Sequence, residues 1–425
     1  MKKIILFMTL FPCLIIAQGF TSYFTGNTTN ITTVTSPGTC LMGGATENDN
    51  AMKWLLQKAN GGDVVVLRTT GTNGYNNYLY TTLGININSV ETLVITSVAG
   101  AVNPYVLNKI ANAELIWFAG GDQFQYVSFF KDNALEDLLN NHINIKNAPI
   151  GGTSAGMAIL CGKYFSAQNG SITSAQALSN PYHNNITIGQ NDFLNVPNLQ
   201  NTTTDTHFDN PDRKGRIMTF LARTALAQNG RSYGIASNEY VAICIDGAGK
   251  ANVYGDYPNY PEFAYFVQAN CQTSFLPETC VAGFPLTWNQ NGEAVKTYKV
   301  PGTQTGTNFF QLSNWQAGSG GSWENWKVIN GVFSSATGNP ISCNLSLSDF
   351  DITKILVFPV PFQDTIEIRG FEKAKITVIE TSGKIIFEGV YEKDAKIGTS
   401  QFLSGIYVIQ IENEGKIMTK KVIKN

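Results

Sequence analysis

The chain has 425 residues and carries 29 Lys and Arg against 31 Asp and Glu, a formal net charge of −2; at about 100–200 residues per domain this length implies two or three folded units. Hydrophobic residues make up 43% and charged residues 14%, the latter well under the roughly 25% of ordinary soluble domains, which excludes disorder driven by charge. No Lys/Arg run exceeds two residues and no apolar stretch reaches the ~20 residues of a membrane-spanning helix, so the sequence offers neither the electrostatic footprint of a nucleic-acid partner nor a membrane span.

Lys2-Lys3, the apolar run Ile4–Ile16 and the small residue Ala17 follow the order of charged region, short apolar core and cleavage site, so residues 1–17 are expected to be a signal peptide. Pro12 stands before Cys13 where acylation of a lipoprotein calls for a small residue. Loss of the leader leaves Cys40, Cys161, Cys244, Cys271, Cys280 and Cys343, an even set in a compartment that permits disulfides. Cys271 and Cys280, nine residues apart around Pro277, are the expected pair. Cys161 and Cys244 lie in apolar runs that suit buried free thiols. No spacing suits a metal site, and neither a metal nor a cofactor is expected.

From about Gly38 apolar, β-branched runs such as Asp63–Leu67, Glu91–Ile95 and Glu114–Phe118 alternate with helical segments at Asn50–Ala59, Asn103–Asn112 and Lys131–His142. That alternation predicts βαβ units, a mostly parallel sheet and an α/β fold. Ligands of such sheets bind beyond the carboxyl ends of the strands. Two turns there stand out: Ala119-Gly120-Gly121-Asp122-Gln123, and Gly152-Thr153-Ser154-Ala155-Gly156 after the run Ala148–Ile150. The second has the Gly-x-Ser-x-Gly pattern of a nucleophile elbow, with Ala155–Leu160 continuing as a helix.

A serine hydroxyl needs a base, and the chain contains only His142, His183 and His207. His142 falls at a helix end, where capping is its expected role; His183 lies in the Asn/Thr-rich stretch 179–204, read as a loop. His207 follows a strand end at Thr203–Thr206 and precedes Asp209, Asp212, Arg213 and Arg216 at the start of a helix Arg213–Ala227.

Four ordered segments, Gly120-Gly121-Asp122-Gln123, Gly152–Gly156, Asp205-Thr206-His207-Phe208 and Gly234–Ala242, are similar in order and approximate spacing to the cyanophycinase-like serine peptidases, which belong with dipeptidase E. The similarity spans roughly residues 38–270 and implies a glutamine-amidotransferase-like (flavodoxin-like) fold with helices on both faces of the sheet. It implies Ser154 as nucleophile, His207 as general base and Glu239 as acidic partner, with Gln123 and the arginines Arg213 and Arg216 in substrate binding. Asp205, two residues from His207 on an extended segment, is the rival carboxylate, with a structural or substrate-binding role as the other possibility. The oxyanion hole is assigned to the N–H groups of Ala155 and Gly121, with Gly120 as the second choice. Where cyanophycinase has three arginines after the histidine, this chain has Pro211, Arg213 and Arg216; Asp122 and Asn238 also depart from the family pattern.

Residues 271–349 are Gly-, Asn- and Trp-rich, with Trp315, Trp323 and Trp326, and are expected to be a β-rich extension of a catalytic domain 18–270 or a linker. Residues 350–425 then hold 21 charges in 76 positions against 39 in the preceding 349, the shift expected at a domain boundary. Period-two alternation at Thr365–Arg369, Lys375–Ile379 and Tyr407–Ile411 predicts a small antiparallel β-sandwich. Phe358–Phe362, Ser382-Gly383-Lys384, Leu403–Tyr407 and Lys420–Lys424 resemble the C-terminal sorting domain of type IX secretion cargo.

The expected protein is thus a secreted or surface-delivered serine peptidase that crosses the periplasm of an outer-membrane bacterium and engages the type IX machinery. It would cleave an amide bond of aspartyl-type peptides or a cyanophycin-like polymer through an acyl-enzyme. The alternative is a catalytically silent binding protein of the same fold.

Overall fold

The computed structural model describes residues 18–343, 355–371, 373–413 and 416–425; the expected signal peptide at 1–17 and the expected boundary near 350 lie outside them. The chain divides into two compact units, one ending at Ser342 and one from Cys343 to Asn425.

The first unit is a mixed α/β structure with two sheets. The larger has ten strands in the order Phe20–Gly26, Ser89–Ile95, Asp63–Arg68, Leu115–Phe118, Ile150–Thr153, Gly38–Met42, Ala242–Asp246, Lys250–Tyr254, Phe309–Gln311 and Gly318–Ser319. The five strands from Ser89–Ile95 to Gly38–Met42 pair in parallel, and antiparallel strands flank them. Val64–Leu67 and the whole of Ser89–Ile95 are buried, which is why they read as continuous apolar runs: a parallel sheet is covered on both faces.

Successive side chains of Leu115–Phe118 point to opposite faces. Trp117 packs in one core with Met52, Leu55 and Leu56 of the helix Asp49–Lys58. Phe118 faces the other way, against Tyr126 and Phe130 of the helix Gln123–Phe130. The helix starts carry their own signals: Asn48, Asn103 and Asn133 each accept a backbone N–H at an N-cap, and Pro104 occupies the first turn after Asn103.

The second sheet has six strands in the order Val332–Thr337, Ser322–Ile329, Val295–Pro301, Phe263–Ala269, Tyr233–Ser237 and Thr202–Asp205. Its final pair alone among these runs parallel. The Trp-rich stretch therefore supplies strands and core: Trp326 is buried, Trp323 nearly so, and Phe208 stacks on Trp326 with ring centroids 6.3 Å apart. Cys280 is a buried free thiol in this core beside Leu286 and Trp288, whereas Cys271 is disulfide-bonded. This corrects the expected Cys271–Cys280 pair; apolar packing encloses the Cys280 sulfur. Cys161 and Cys244 are buried free thiols.

The second unit is all-β. A three-stranded sheet, Leu356–Phe358, Thr365–Arg369 and Ala395–Gly398, and a four-stranded sheet, Ile385–Tyr391, Ala374–Glu380, Gly405–Asn413 and Lys416–Lys424, are both antiparallel. Alternate residues such as Ile366, Ile368, Ile376, Val378, Ile409 and Ile411 form one core, as period-two patterning requires.

His142 is not a helix cap. It is 3% exposed, and its Nε2–H donates to the Pro149 carbonyl at 3.0 Å. Burial lowers its pKa from 6.5 to about 4, so between those values the unfolded chain binds a proton that the folded chain does not. Stability of the first unit should then fall as pH drops through that window, by up to roughly 3 kcal/mol from this group. His142→Gln keeps an N–H donor without a titrating ring; denaturant melts at several pH values should show a shallower acid slope in that variant.

Candidate active site

The strand Ile150–Thr153 ends at a turn in which Ser154 has φ 52° and ψ −115°, a left-handed conformation that costs a side chain of this kind on the order of 1–3 kcal/mol. The glycines on either side are required by packing. A side chain at Gly152 would overlap the backbone of Gly156, and one at Gly156 would overlap the carbonyl of Phe118. The helix that follows is a single turn, Ala155–Ala158, shorter than the expected Ala155–Leu160. The chain leaves it so that the N–H groups of Gly162 and Lys163 can bond the carbonyls of Leu199 and Thr202.

His207 and Glu239 come from the second sheet. Each follows one strand of its parallel pair, Thr202–Asp205 or Tyr233–Ser237, so carboxyl strand ends of both sheets meet at one place. Ser154 Oγ lies 2.7 Å from His207 Nε2, and His207 Nδ1 lies 2.6 Å from Glu239 Oε1. Because the carboxylate accepts, Nδ1 carries the hydrogen and Nε2 is left to accept from the serine hydroxyl. The Glu239 carboxylate is held below the usual carboxylate range, first by the hydrogen bond from His207, then by the Asn210 amide and the positive charge of Arg213. It therefore stays ionised to lower pH than an ordinary glutamate.

The two halves are joined by Gly43-Gly44, at the end of the strand Gly38–Met42. The Met42 carbonyl accepts the N–H of Ser154 at 3.0 Å, that of Gly43 accepts the N–H of His207 at 2.8 Å, and that of Gly44 accepts the N–H of Tyr240 at 3.1 Å. Gly44 has φ +124° and lies directly against the imidazole; any side chain there would overlap the ring.

The expected substrate-binding residues each have a partner within the protein. Asp205 and Arg216 are buried and satisfy each other, with Nε–Oδ2 at 2.8 Å and Nη2–Oδ1 at 2.5 Å. In that pair each charge has a bidentate partner within the protein. Asp205 is not the carboxylate that meets His207. Arg213 is half-buried, donates from Nη1 to the Thr206 carbonyl at 2.7 Å and lies 3.8 Å from Asp205. Gln123 donates to the Phe165 carbonyl at 3.1 Å. His183 sits in a loop, where its Nδ1 accepts the N–H of Asn185. The N–H groups of Ala155 and Gly121 bond no acceptor among the described residues.

Ser154 and His207 open into a cleft of about 560 Å³ lined also by Thr46, Glu47, Arg68, Tyr75, Tyr78 and Gly120. The sequence reading passed over the first five. A signal for them existed: Gly43-Gly44 and Arg68 both stand where a parallel strand ends, the place where ligands of such sheets bind. Among the described residues no group of three or more His, Cys, Asp or Glu side chains is arranged to hold a metal ion.

Gly44→Ala should push the imidazole off the Ser154–Glu239 line while leaving both sheets in place. The expected result is a fall in kcat of about 10²-fold or more, the range of a misplaced general base, with far-UV circular dichroism unchanged. Steady-state kinetics on the purified variant would check this.

Residues 72–252 match the model of peptidase family S51, and residues 356–425 match that of the secretion system C-terminal sorting domain. No curated protein matches the chain. Among solved structures, a peptidase from an acI-B1 Actinobacterium is 16% identical with a TM-score of 0.40, over 54% of this chain and 93% of its own. A putative peptidase E protein from Listeria monocytogenes EGD-e is 16% identical with a TM-score of 0.34, over 52% of this chain and 99% of its own. On the two family matches, the chain carries a domain of peptidase family S51, the family of dipeptidase E and cyanophycinase, followed by a secretion-system C-terminal sorting domain.

Proposed function

We propose that this chain is an exported serine peptidase that hydrolyses an amide bond of aspartyl-type peptides, or of a cyanophycin-like polymer, through an acyl-enzyme on Ser154. The observation that carries the reading is the unbroken line Ser154–His207–Glu239, with contacts of 2.7 and 2.6 Å, opening into a cleft. The family match supports the serine peptidase chemistry, and the substrate class rests on the resemblance to cyanophycinase-like peptidases.

In this reading His207 Nε2 takes the hydroxyl proton as Ser154 Oγ attacks the scissile carbonyl carbon, and Glu239 stabilises the imidazolium. The developing oxyanion is taken by the N–H of Ala155 and that of Gly121 or Gly120, whose backbone donors need no reorganisation. Gly120 is the one that lies against Ser154: a Cβ on it would stand 3.5 Å from the serine Cβ. The imidazolium then gives its proton to the leaving amine, and a water activated by the same nitrogen releases the acyl group. Residues 356–425 serve as the export address and take no part in the chemistry.

Ser154→Ala removes the nucleophile and nothing that supports the fold, since its backbone bond to Met42 survives. Turnover of an aspartyl peptide should drop by at least about 10⁴-fold, with an unchanged melting curve. Wild-type turnover in that variant, followed by product mass spectrometry, would defeat the reading.

A further inference from the structure

The cleft contains two charged side chains that the hydrolytic line does not use, Glu47 and Arg68. Arg68 ends the strand Asp63–Arg68, on the same sheet edge that presents Ser154. The loop that follows fixes its guanidinium. Nε donates to the Thr70 carbonyl at 3.0 Å and Nη1 to the Thr72 carbonyl at 3.2 Å. Gly71, with φ +99°, passes so close that a side chain there would crowd Nη2, and the Tyr75 ring lies 5.6 Å from the guanidinium carbon.

These partners orient the charge without neutralising it. Both hydrogen-bond acceptors are neutral carbonyls, and among the described residues no carboxylate lies within 4.0 Å of the group. The Glu47 carboxylate instead accepts from the Tyr75 hydroxyl. A guanidinium held in a set direction, half-buried and with no carboxylate in contact, is arranged to receive an anion in its planar fork. Arg216, by contrast, already has its anion in Asp205.

We propose that Arg68 is the specificity-determining residue of this site and binds a carboxylate of the substrate residue that enters the cleft beside Ser154. The proposal rests on the peptidase reading of the cleft and moves substrate recognition from Arg213 and Arg216 to the strand end at Arg68. Its test is a binding measurement on the mature Ser154→Ala chain, which holds peptide without turnover. Calorimetric titration with Asp-Ala-Ala-amide and with Asn-Ala-Ala-amide separates peptides that differ by one carboxylate. The aspartyl peptide should bind about tenfold or more tightly. Adding Arg68→Met should bring that ratio close to one, and Arg68→Lys, which keeps the charge but not the fork, should leave it in between. A ratio near one before Arg68 is changed, or a ratio untouched by Arg68→Met, would overturn the assignment. A wild-type chain that binds the aspartyl peptide through Arg68 yet never hydrolyses it would overturn the peptidase reading and leave Arg68 as assigned.

Discussion

The Ser154–His207–Glu239 line depends on a turn that contributes no side chain. Gly43 and Gly44 run between the elbow and the two loops of the second sheet, and three consecutive carbonyls, from Met42 to Gly44, take the N–H groups of Ser154, His207 and Tyr240. A side chain at Gly43 would overlap the Asn238 carbonyl, and one at Gly44 the His207 ring. Backbone hydrogen bonds of this kind each contribute only about 1 kcal/mol net. Their value here is positional, because the proposed nucleophile and base, borne on different sheets, need a common reference within a few tenths of an ångström.

That arrangement gives the Trp-rich stretch a structural purpose. His207 is followed by Phe208, which is buried against Tyr265 and Trp326. Tyr265 and Trp326 lie on strands of the second sheet, and Trp326 comes from the part of the chain beyond residue 270. Large aromatic burial of this kind contributes several kcal/mol and locks the strand ends from which His207 and Glu239 emerge. Arg213 and the Asp205–Arg216 pair belong to the same support: they hold the Thr206 carbonyl and the base of the helix Lys214–Gln228. A buried pair like this is costly to break from one side.

Much of this was legible in the sequence. The parallel strands were readable because residues buried on both faces form unbroken apolar runs, and the elbow because two glycines must relieve crowding around one strained serine. In the sequence only the family resemblance prefers Glu239 to its rival Asp205; in the fold it is the Glu239 carboxylate that meets His207 Nδ1. Asp205 and Glu239 are both carboxylates near a strand end, and nothing in spacing says that the first is consumed by Arg216. The second sheet was not legible, since its strands from Tyr233 to Thr337 pair across long separations and alternate with turns that resemble a linker in composition. Glu47, Arg68 and Tyr75 were missed for a related reason: they reach the serine through the order of strands in the sheet, not through proximity in the chain.

The most direct test of the central claim is to catch the covalent intermediate. Mature protein mixed with an aspartyl ester substrate and quenched in acid within the first turnovers should show, by intact and peptide mass spectrometry, one acyl group on the peptide containing Ser154. The same adduct should accumulate far more slowly in His207→Ala. Steady hydrolysis with no adduct at any quench time, or an acyl group on another residue, would contradict the account.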